Sequence, residues 1–318
     1  MMGDCTEAEI PVIDFSAYRL SLTKPDTTQF QKLVGDVHKA LTTIGFFFMI
    51  NTDFPQEKVE NLHRVSKTFF ELPVELKKKV IRIPSNGSHG YVNIEMENTN
   101  PDRPHGDLKE AFNLNPSSDL EAWPLESDCP GFKSFHEEFF DLCVPLHNRV
   151  LEVLAYGLKL EDPLFFVKHH SKPKTESPII LRTLFYPSLN GLTVKEQQVR
   201  CGEHSDYGGI TLLFQQKRGL EVRKRDGTYV KVPLVNGGIL VNIGDLMQRW
   251  TSDVYTAARH RVYMDDSVEE RGKTRQSIVF FGYPDNEAII ECTDKSNKYP
   301  PVKSIEYLKM KHSTTYLY

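Results

Sequence analysis

Between residues 179 and 283 the chain carries seven short runs rich in β-branched and aromatic residues, at 179–185, 210–214, 220–223, 229–232, 239–243, 261–263 and 277–281. Runs this short and this closely spaced predict a sandwich or jelly roll rather than a parallel α/β sheet. Asp226 and Gly227, lying between two of the runs, are the residues favoured in a type I′ hairpin turn.

Helical patterning precedes this β region. Phe30, Leu33, Val34, Val37, Ala40, Leu41 and Ile44 recur at helical spacing over residues 29–44, and Gly45 ends the run. Residues 46–50 read as a buried strand, and a second helix runs through Val59, Leu62, Val65, Ser66, Phe69 and Phe70 until Pro73. A longer helical pattern spans 132–160, with Phe135, Phe139, Leu142, Leu146, Val150, Leu154 and Leu158 along it and Pro145 as a kink or break. The fold class expected is mainly β with flanking helices around a jelly-roll core. Four segments follow: an N-terminal region of helices and strands at 1–125, a helical support at 126–177, the β core at 178–285 and a C-terminal helical segment at 286–318. No internal repeat or low-complexity linker interrupts them, so the helical segments are expected to wrap the core rather than to be tethered to it.

The charge pattern excludes several function classes. With a net charge of -4 and both signs interspersed over 318 residues, the chain has no nucleic-acid or membrane footprint. The one basic triplet, Lys77, Lys78 and Lys79, lies on a predicted helix and is expected to be a solvated face. The five cysteines, Cys5, Cys129, Cys143, Cys201 and Cys292, are odd in number and scattered, which suggests neither a disulfide framework nor a zinc knuckle. The first nine residues lack an apolar signal region and no run of apolar residues is long enough to span a membrane, so a cytoplasmic protein with reduced thiols is expected. Asn86, Gly87 and Ser88 match a glycosylation sequon that reads as a turn.

Within the β region five residues stand in an order that points to chemistry: His204, Asp206, His260, Arg275 and Ser277. Two imidazoles and a carboxylate are the ligand set of a non-haem Fe(II) oxygenase, which leaves coordination positions open. Residues two apart on a strand face the same way, so His204 and Asp206 reach one ion, as Arg275 and Ser277 reach one anion. Taken singly, His260 reads as a structural imidazole and Arg275 as a surface arginine; the joint order carries the argument. The same His-x-Asp spacing recurs at His105 and Asp107, but in a Pro- and Gly-rich loop with no Arg-x-Ser following a later His nearby.

This order resembles the Fe(II)/2-oxoglutarate-dependent dioxygenases of the isopenicillin N synthase-like family. Residues 10–15, 45–50, 184–187, 244–251 and 260–262 add further matches, so the resemblance covers nearly the whole chain. It implies a double-stranded β-helix with Fe(2+) held at one open end by His204, Asp206 and His260. It implies further that 2-oxoglutarate lies on the metal, its distal carboxylate meeting Arg275, Ser277 and Tyr186, with O2 as oxidant and ascorbate as reductant. The outcome is hydroxylation, desaturation or ring closure of a small organic molecule, with release of succinate and CO2 and no obligate protein partner. Tyr91, Phe112, Asn113 and Phe281 match substrate-facing regions of the family, and Tyr316 to Tyr318 are a candidate lid. Two departures stand out: Leu184 replaces an Asn common among plant members, and the interval from His260 to Arg275 is longer than usual, which places an exposed loop at 265–273. Two alternatives stay open: an oxidase of the same fold that does not use 2-oxoglutarate, and a non-enzymatic jelly-roll binding protein.

Overall fold

The computed structural model describes residues 10–83, 88–100, 102–118, 122–264 and 267–315. Its elements, in chain order, are β1 (Val12–Asp14), α1 (Thr27–Thr43), β2 (Phe46–Ile50), α2 (Gln56–Phe70), α3 (Val74–Lys78), β3 (Gly90–Val92), β4 (Glu110–Leu114), α4 (Phe132–Gly157) and α5 (Phe165–Lys168). The β-rich part follows as β5 (Ile180–Tyr186), β6 (Cys201–His204), β7 (Ile210–Gln215), β8 (Leu220–Arg223), β9 (Tyr229–Lys231), β10 (Ile239–Ile243), α6 (Asp245–Trp250), β11 (His260–Val262), α7 (Val268–Arg271) and β12 (Arg275–Phe281). A small pair, β13 (Ile289–Ile290) and β14 (Val302–Lys303), leads into α8 (Ser304–Thr315).

An eight-stranded sheet in the order β1-β2-β10-β7-β12-β5-β4-β3 faces a four-stranded sheet in the order β6-β11-β8-β9, the two layers of a jelly roll. All pairings in them are antiparallel except β1 with β2. The larger sheet takes β1 to β4 from the first 125 residues, which therefore pair directly with the β core.

Both faces of that sheet are buried, and strand alternation divides its side chains between two cores. Phe47, Leu212, Phe214, Val241, Ile278 and Phe280 point to one side, where helices α1, α2 and α4 cover them. Phe46, Phe48, Leu184, Tyr186, Leu213, Leu240 and Val279 point to the other, between the two sheets. This explains why the strands read as continuous apolar runs rather than as alternating ones.

The helices pack by their apolar stripes. Asp26 caps α1 by accepting from the Thr28 N–H at 3.0 Å, and the helix buries Phe30, Leu33, Val34, Val37, Ala40 and Leu41. Gly45 then turns the chain at φ 75°, where any Cβ would stand 2.2 Å from the Thr256 carbonyl oxygen. Among the described residues no helix is long and apolar enough to cross a membrane.

Three local expectations are corrected. Helix α4 continues through Pro145 without the break, and Pro145 and Asp141, whose carbonyl loses its donor, are both exposed residues. The β8–β9 hairpin forms, but only Gly227 of its turn residues has positive φ, at 87°, and the Gly227 N–H donates to the Lys224 carbonyl at 3.0 Å. That is a three-residue loop with Gly in the left-handed position rather than a type I′ turn. Lys77 is not on a solvated face: it is buried and paired with Glu110 at 2.5 Å. The polar loop before Arg275 contains α7, whose Arg271 carbonyl accepts from the Leu189 N–H at 2.9 Å. Asn86, Gly87, residues 265 and 266 and the candidate lid Tyr316 to Tyr318 lie outside the described residues. Cys129, Cys143, Cys201 and Cys292 are free thiols.

Candidate active site

The two histidines face each other across the smaller sheet. His204 on β6 is the register partner of His260 on β11, and their rings stand 4.4 Å apart. Asp206 follows the end of β6, with Oδ1 3.8 Å from His204 Nε2 and 3.6 Å from His260 Nε2. Among the described residues these three form the one group whose ligand atoms, all within 4.8 Å of one another, could hold a metal ion.

Surrounding groups orient each ligand. His204 Nδ1 lies 2.8 Å from the Gly202 carbonyl and His260 Nδ1 lies 3.2 Å from the Ala258 carbonyl. A carbonyl only accepts, so each Nδ1 carries the proton and each Nε2 presents its lone pair to the centre. Thr211 Oγ1 and Asn242 Nδ2 both donate to Asp206 Oδ2, at 2.6 and 2.7 Å, which turns Oδ1 toward the imidazoles. Burial raises the Asp206 carboxyl, but His260, His204, Asn242 and Thr211 outweigh it and hold the group below its ordinary range. Burial first, and His204 second, push His260 down to about 4, so its lone pair is available at neutral pH. The loop behind Asp206 is stapled to the start of α6: the Asp245 N–H donates to the Asp206 carbonyl at 2.7 Å and the Gly244 N–H to the Gly209 carbonyl at 2.9 Å. A Cβ at Gly244 would stand 2.4 Å from the Gly208 oxygen, so this close approach requires glycine.

A cavity of about 120 Å³ opens beside the triad, room for an organic ligand rather than a single water. Arg275 and Tyr186 are register partners on β12 and β5, and both line it. The Arg275 guanidinium lies 4.9 Å from the Tyr186 ring centre, with Nε donating to the Arg218 carbonyl at 3.2 Å and Nη1 to Ser277 Oγ at 3.4 Å. Burial pushes the Tyr186 hydroxyl up to about 12, so it is a donor at neutral pH. Leu184, paired with Ser277, also lines the cavity and, being apolar, makes no polar contact there.

The candidate substrate residues divide. Phe281 lines the cavity. Tyr91 and Phe112 do not: both point into the core beneath α2 and α4, and the Tyr91 hydroxyl donates to Glu110 and stands 2.9 Å from Asn93 Oδ1. Asn113 is buried outside the cavity wall, to which Lys109, just before β4, contributes instead. The connection between β3 and β4 reaches the cavity through Glu97, Thr99 and Lys109, while Tyr91 and Phe112 face the helices and Asn113 stands farther along β4. Asp107 of the second His-x-Asp is buried between Arg103 and Lys109, at 2.5 Å from each, and accepts from the Gly202 N–H at 3.1 Å. It braces β6 and lies outside the group of three that could hold a metal ion.

The cavity has further lining residues that the sequence does not single out: Thr211 and Asn242, the ion-paired Arg182 and Glu97, and His312 from α8. Asn242 carries a readable signal as the one polar residue in the apolar run 239–243. The rest have none.

Comparison with known proteins agrees with this geometry. Residues 10–130 match the family model described as non-haem dioxygenase in morphine synthesis N-terminal, and residues 167–284 match that of the 2OG-Fe(II) oxygenase superfamily. The chain is 33% identical to the proline hydroxylase buaE of Petromyces alliaceus, over 82% of this chain and 84% of that one. It is 29% identical to the 2-oxoglutarate-dependent dioxygenase htyE of Aspergillus rugulosus, over 96% and 99%. It superposes on a full-length Neurospora crassa protein, solved in complex with alpha-KG, with a TM-score of 0.83 and 30% identity, covering 96% of each chain.

Proposed function

Because this chain belongs to the 2-oxoglutarate- and Fe(II)-dependent oxygenases of the isopenicillin N synthase-like family, we propose that His204, Asp206 and His260 hold its iron and that Arg275, Ser277 and Tyr186 hold the distal carboxylate of its cosubstrate. The protein is a non-haem iron dioxygenase. The observation that carries the residue assignment is the convergence of two Nε2 lone pairs and one carboxylate oxygen beside a cavity whose wall holds a buried arginine. Two neutral nitrogens and one anionic oxygen suit Fe(II), and three ligands leave positions open.

The chemistry supplied by bound iron and 2-oxoglutarate is oxidative decarboxylation to succinate and CO2, coupled to oxidation of a substrate C–H bond. The chain contributes placement. Asp206 offsets part of the metal charge, and Thr211 and Asn242 stop its carboxylate from turning. Arg275 offers a planar fork of N–H donors that matches a carboxylate, and Tyr186 adds a hydroxyl donor beside it. Leu184, Leu213, Leu220 and Val262 line the same cavity with apolar surface and exclude water from the reacting groups. The substrate on this reading is a small organic molecule taken into the enclosed cavity, and hydroxylation is the simplest outcome.

Anaerobic titration of the Fe(II)-loaded protein with 2-oxoglutarate tests the assignment through the charge-transfer band of a chelated 2-keto acid. Arg275→Leu is expected to retain iron but to weaken 2-oxoglutarate binding by about 3–5 kcal/mol, the cost of leaving a buried carboxylate without its charge partner. A wild-type protein without the band at millimolar 2-oxoglutarate would remove the cosubstrate site from Arg275.

A further inference from the structure

The cavity has a second charged station that neither the metal nor the cosubstrate uses. Along the inward face of β5 stand Tyr186, Leu184, Arg182 and Ile180, all lining the cavity, and Arg182 is paired with Val279 where Tyr186 is paired with Arg275. Four residues of strand separate the two positions, about 13 Å at the usual rise. Arg182 is held from behind by a chain of ion pairs: Arg182 Nη2 to Glu97 Oε1 at 2.6 Å, Glu97 Oε2 to Lys109 Nζ at 3.4 Å, and Lys109 Nζ to Asp107 Oδ2 at 2.5 Å. Buried ion pairs are poor sources of stability compared with apolar packing, so a run of them opening onto a cavity points to recognition. The rings of Tyr207 and Phe281 line the same space.

Helix α8 closes this end. His312 lines the cavity, its ring 6.1 Å from that of Tyr207, while Lys311 pairs with Asp245 at 2.6 Å and Leu308 is buried. Asp245 is the residue whose N–H holds the Asp206 carbonyl, so the closing helix is latched to the segment that carries the carboxylate ligand.

Resting on the function proposed above, we infer that Arg182 and Glu97 are the specificity-determining pair and that the substrate presents to them, on neighbouring atoms, an oxygen acceptor and an N–H donor. A guanidinium only donates and a carboxylate only accepts, and here the two lie side by side. The edge complementary to that pair belongs to an amino-acid zwitterion or to a cyclic amide. Tyr207 and Phe281 supply apolar faces for the body of such a molecule, and His312 covers it.

The test uses the full chain loaded with Fe(II) and 2-oxoglutarate and follows succinate release with two matched pairs of probes. L-proline is compared with tetrahydrofuran-2-carboxylate, and 5,6-dihydrouracil with 1,3-dimethyl-5,6-dihydrouracil; every probe carries ring CH2 groups that can be oxidised, and the second member of each pair lacks the N–H. Stimulation by proline or by 5,6-dihydrouracil, but not by its partner, is expected, and which of the two acts separates the zwitterion from the cyclic amide. Arg182→Leu and Glu97→Gln should each lower kcat/KM for the active probe by about 10- to 100-fold, the worth of a hydrogen bond to a charged group. Both variants should keep the anaerobic 2-oxoglutarate band, which reports that they are folded and bind cosubstrate. Equal stimulation by an N–H-free probe, no stimulation by either pair, or loss of the band with Arg182→Leu overturns the inference. Loss of the band already in the wild type takes down this inference and the cosubstrate assignment together.

Discussion

Replacing Thr211 by Val removes one oxygen and almost no volume, and it isolates what the surroundings of Asp206 do for the metal. Thr211 Oγ1 donates to Asp206 Oδ2 at 2.6 Å, and Asn242 Nδ2 donates to the same oxygen at 2.7 Å. The Val methyl occupies the place of the hydroxyl beside the buried carboxylate, so no water takes over the lost donor. A hydrogen bond to a charged group is worth about 1.5–3 kcal/mol, which is about 10- to 150-fold in affinity if the whole of it serves to aim Oδ1. Part of that bond also stabilises the metal-free protein, so a loss of about 10- to 100-fold in Fe(II) affinity is expected, in the range usual for groups that orient a ligand. Anaerobic Fe(II) titration at saturating 2-oxoglutarate measures it through the charge-transfer band. Thr211→Ser keeps the hydroxyl and loses a methyl, and should bind iron within a few-fold of wild type. If Ser and Val variants were equally weak, packing rather than the hydrogen bond would be the cause; if Val bound iron as wild type does, Asn242 alone would suffice to orient the carboxylate and the reasoning would fail.

Three other outcomes follow from the same geometry. Asp206→Ala should abolish stoichiometric iron binding, whereas Asp107→Ala should keep it while losing about 3–5 kcal/mol of stability, since the buried Lys109 would lose its close partner and keep only Glu97 at 3.4 Å, and Arg103 would lose its carboxylate; metal analysis and urea unfolding of the two variants distinguish ligand from brace, and an exchange of the two phenotypes would move the site. Gly244→Ala, which changes no ligand, should cost about 1–3 kcal/mol by overpacking and weaken iron binding, because the new Cβ pushes on the Gly208 carbonyl of the ligand loop; unchanged melting and iron affinity would show that the loop yields freely. Burial pushes His136 down to about 3 and His170 down to about 4, so below pH 6.5 the unfolded chain takes up protons that the folded one refuses, and stability falls as pH is lowered from 6.5 toward those values. Each such histidine contributes a slope that grows from about 0.7 kcal/mol per pH unit at pH 6.5 to about 1.4 well below it, so urea unfolding of His136→Gln between pH 6.5 and 5 should lose about 1.6 kcal/mol less than wild type, an identical loss being the contrary result.

Several features were legible in the linear chain because they depend on residue type and local order alone. The ligands His204, Asp206 and His260 could be named because metal chemistry tolerates few side chains, and because Arg275 and Ser277 follow in the same order. Strands such as β8 and β10 were bounded to the residue, since short apolar runs between turn-forming residues have few other conformations open to them. The end of α1 at Gly45 was visible for the same local reason.

Facing was another matter. A run such as 239–243, apolar throughout but for Asn242, carries no record of which residues meet the helices and which meet the other sheet, and only pairing with β2 and β7 decides it. That is why Phe112 and Tyr91, credible as pocket residues by position, belong to the core beneath α2, while Arg182, two places before Leu184, belongs to the cavity. The second His-x-Asp shows the same limit: nothing local says that Asp107 is enclosed by Arg103 and Lys109. His312 reaches the cavity from a helix about a hundred residues beyond His204, whose anchors include the Lys311–Asp245 ion pair, the buried Leu308 and the Ser304 hydroxyl donating to the Pro284 carbonyl. The sequence by itself determined which atoms could bind a metal, because that is a property of each side chain; tertiary structure alone decided which atoms surround it, because a one-residue change of register carries every side chain on a strand to the opposite face.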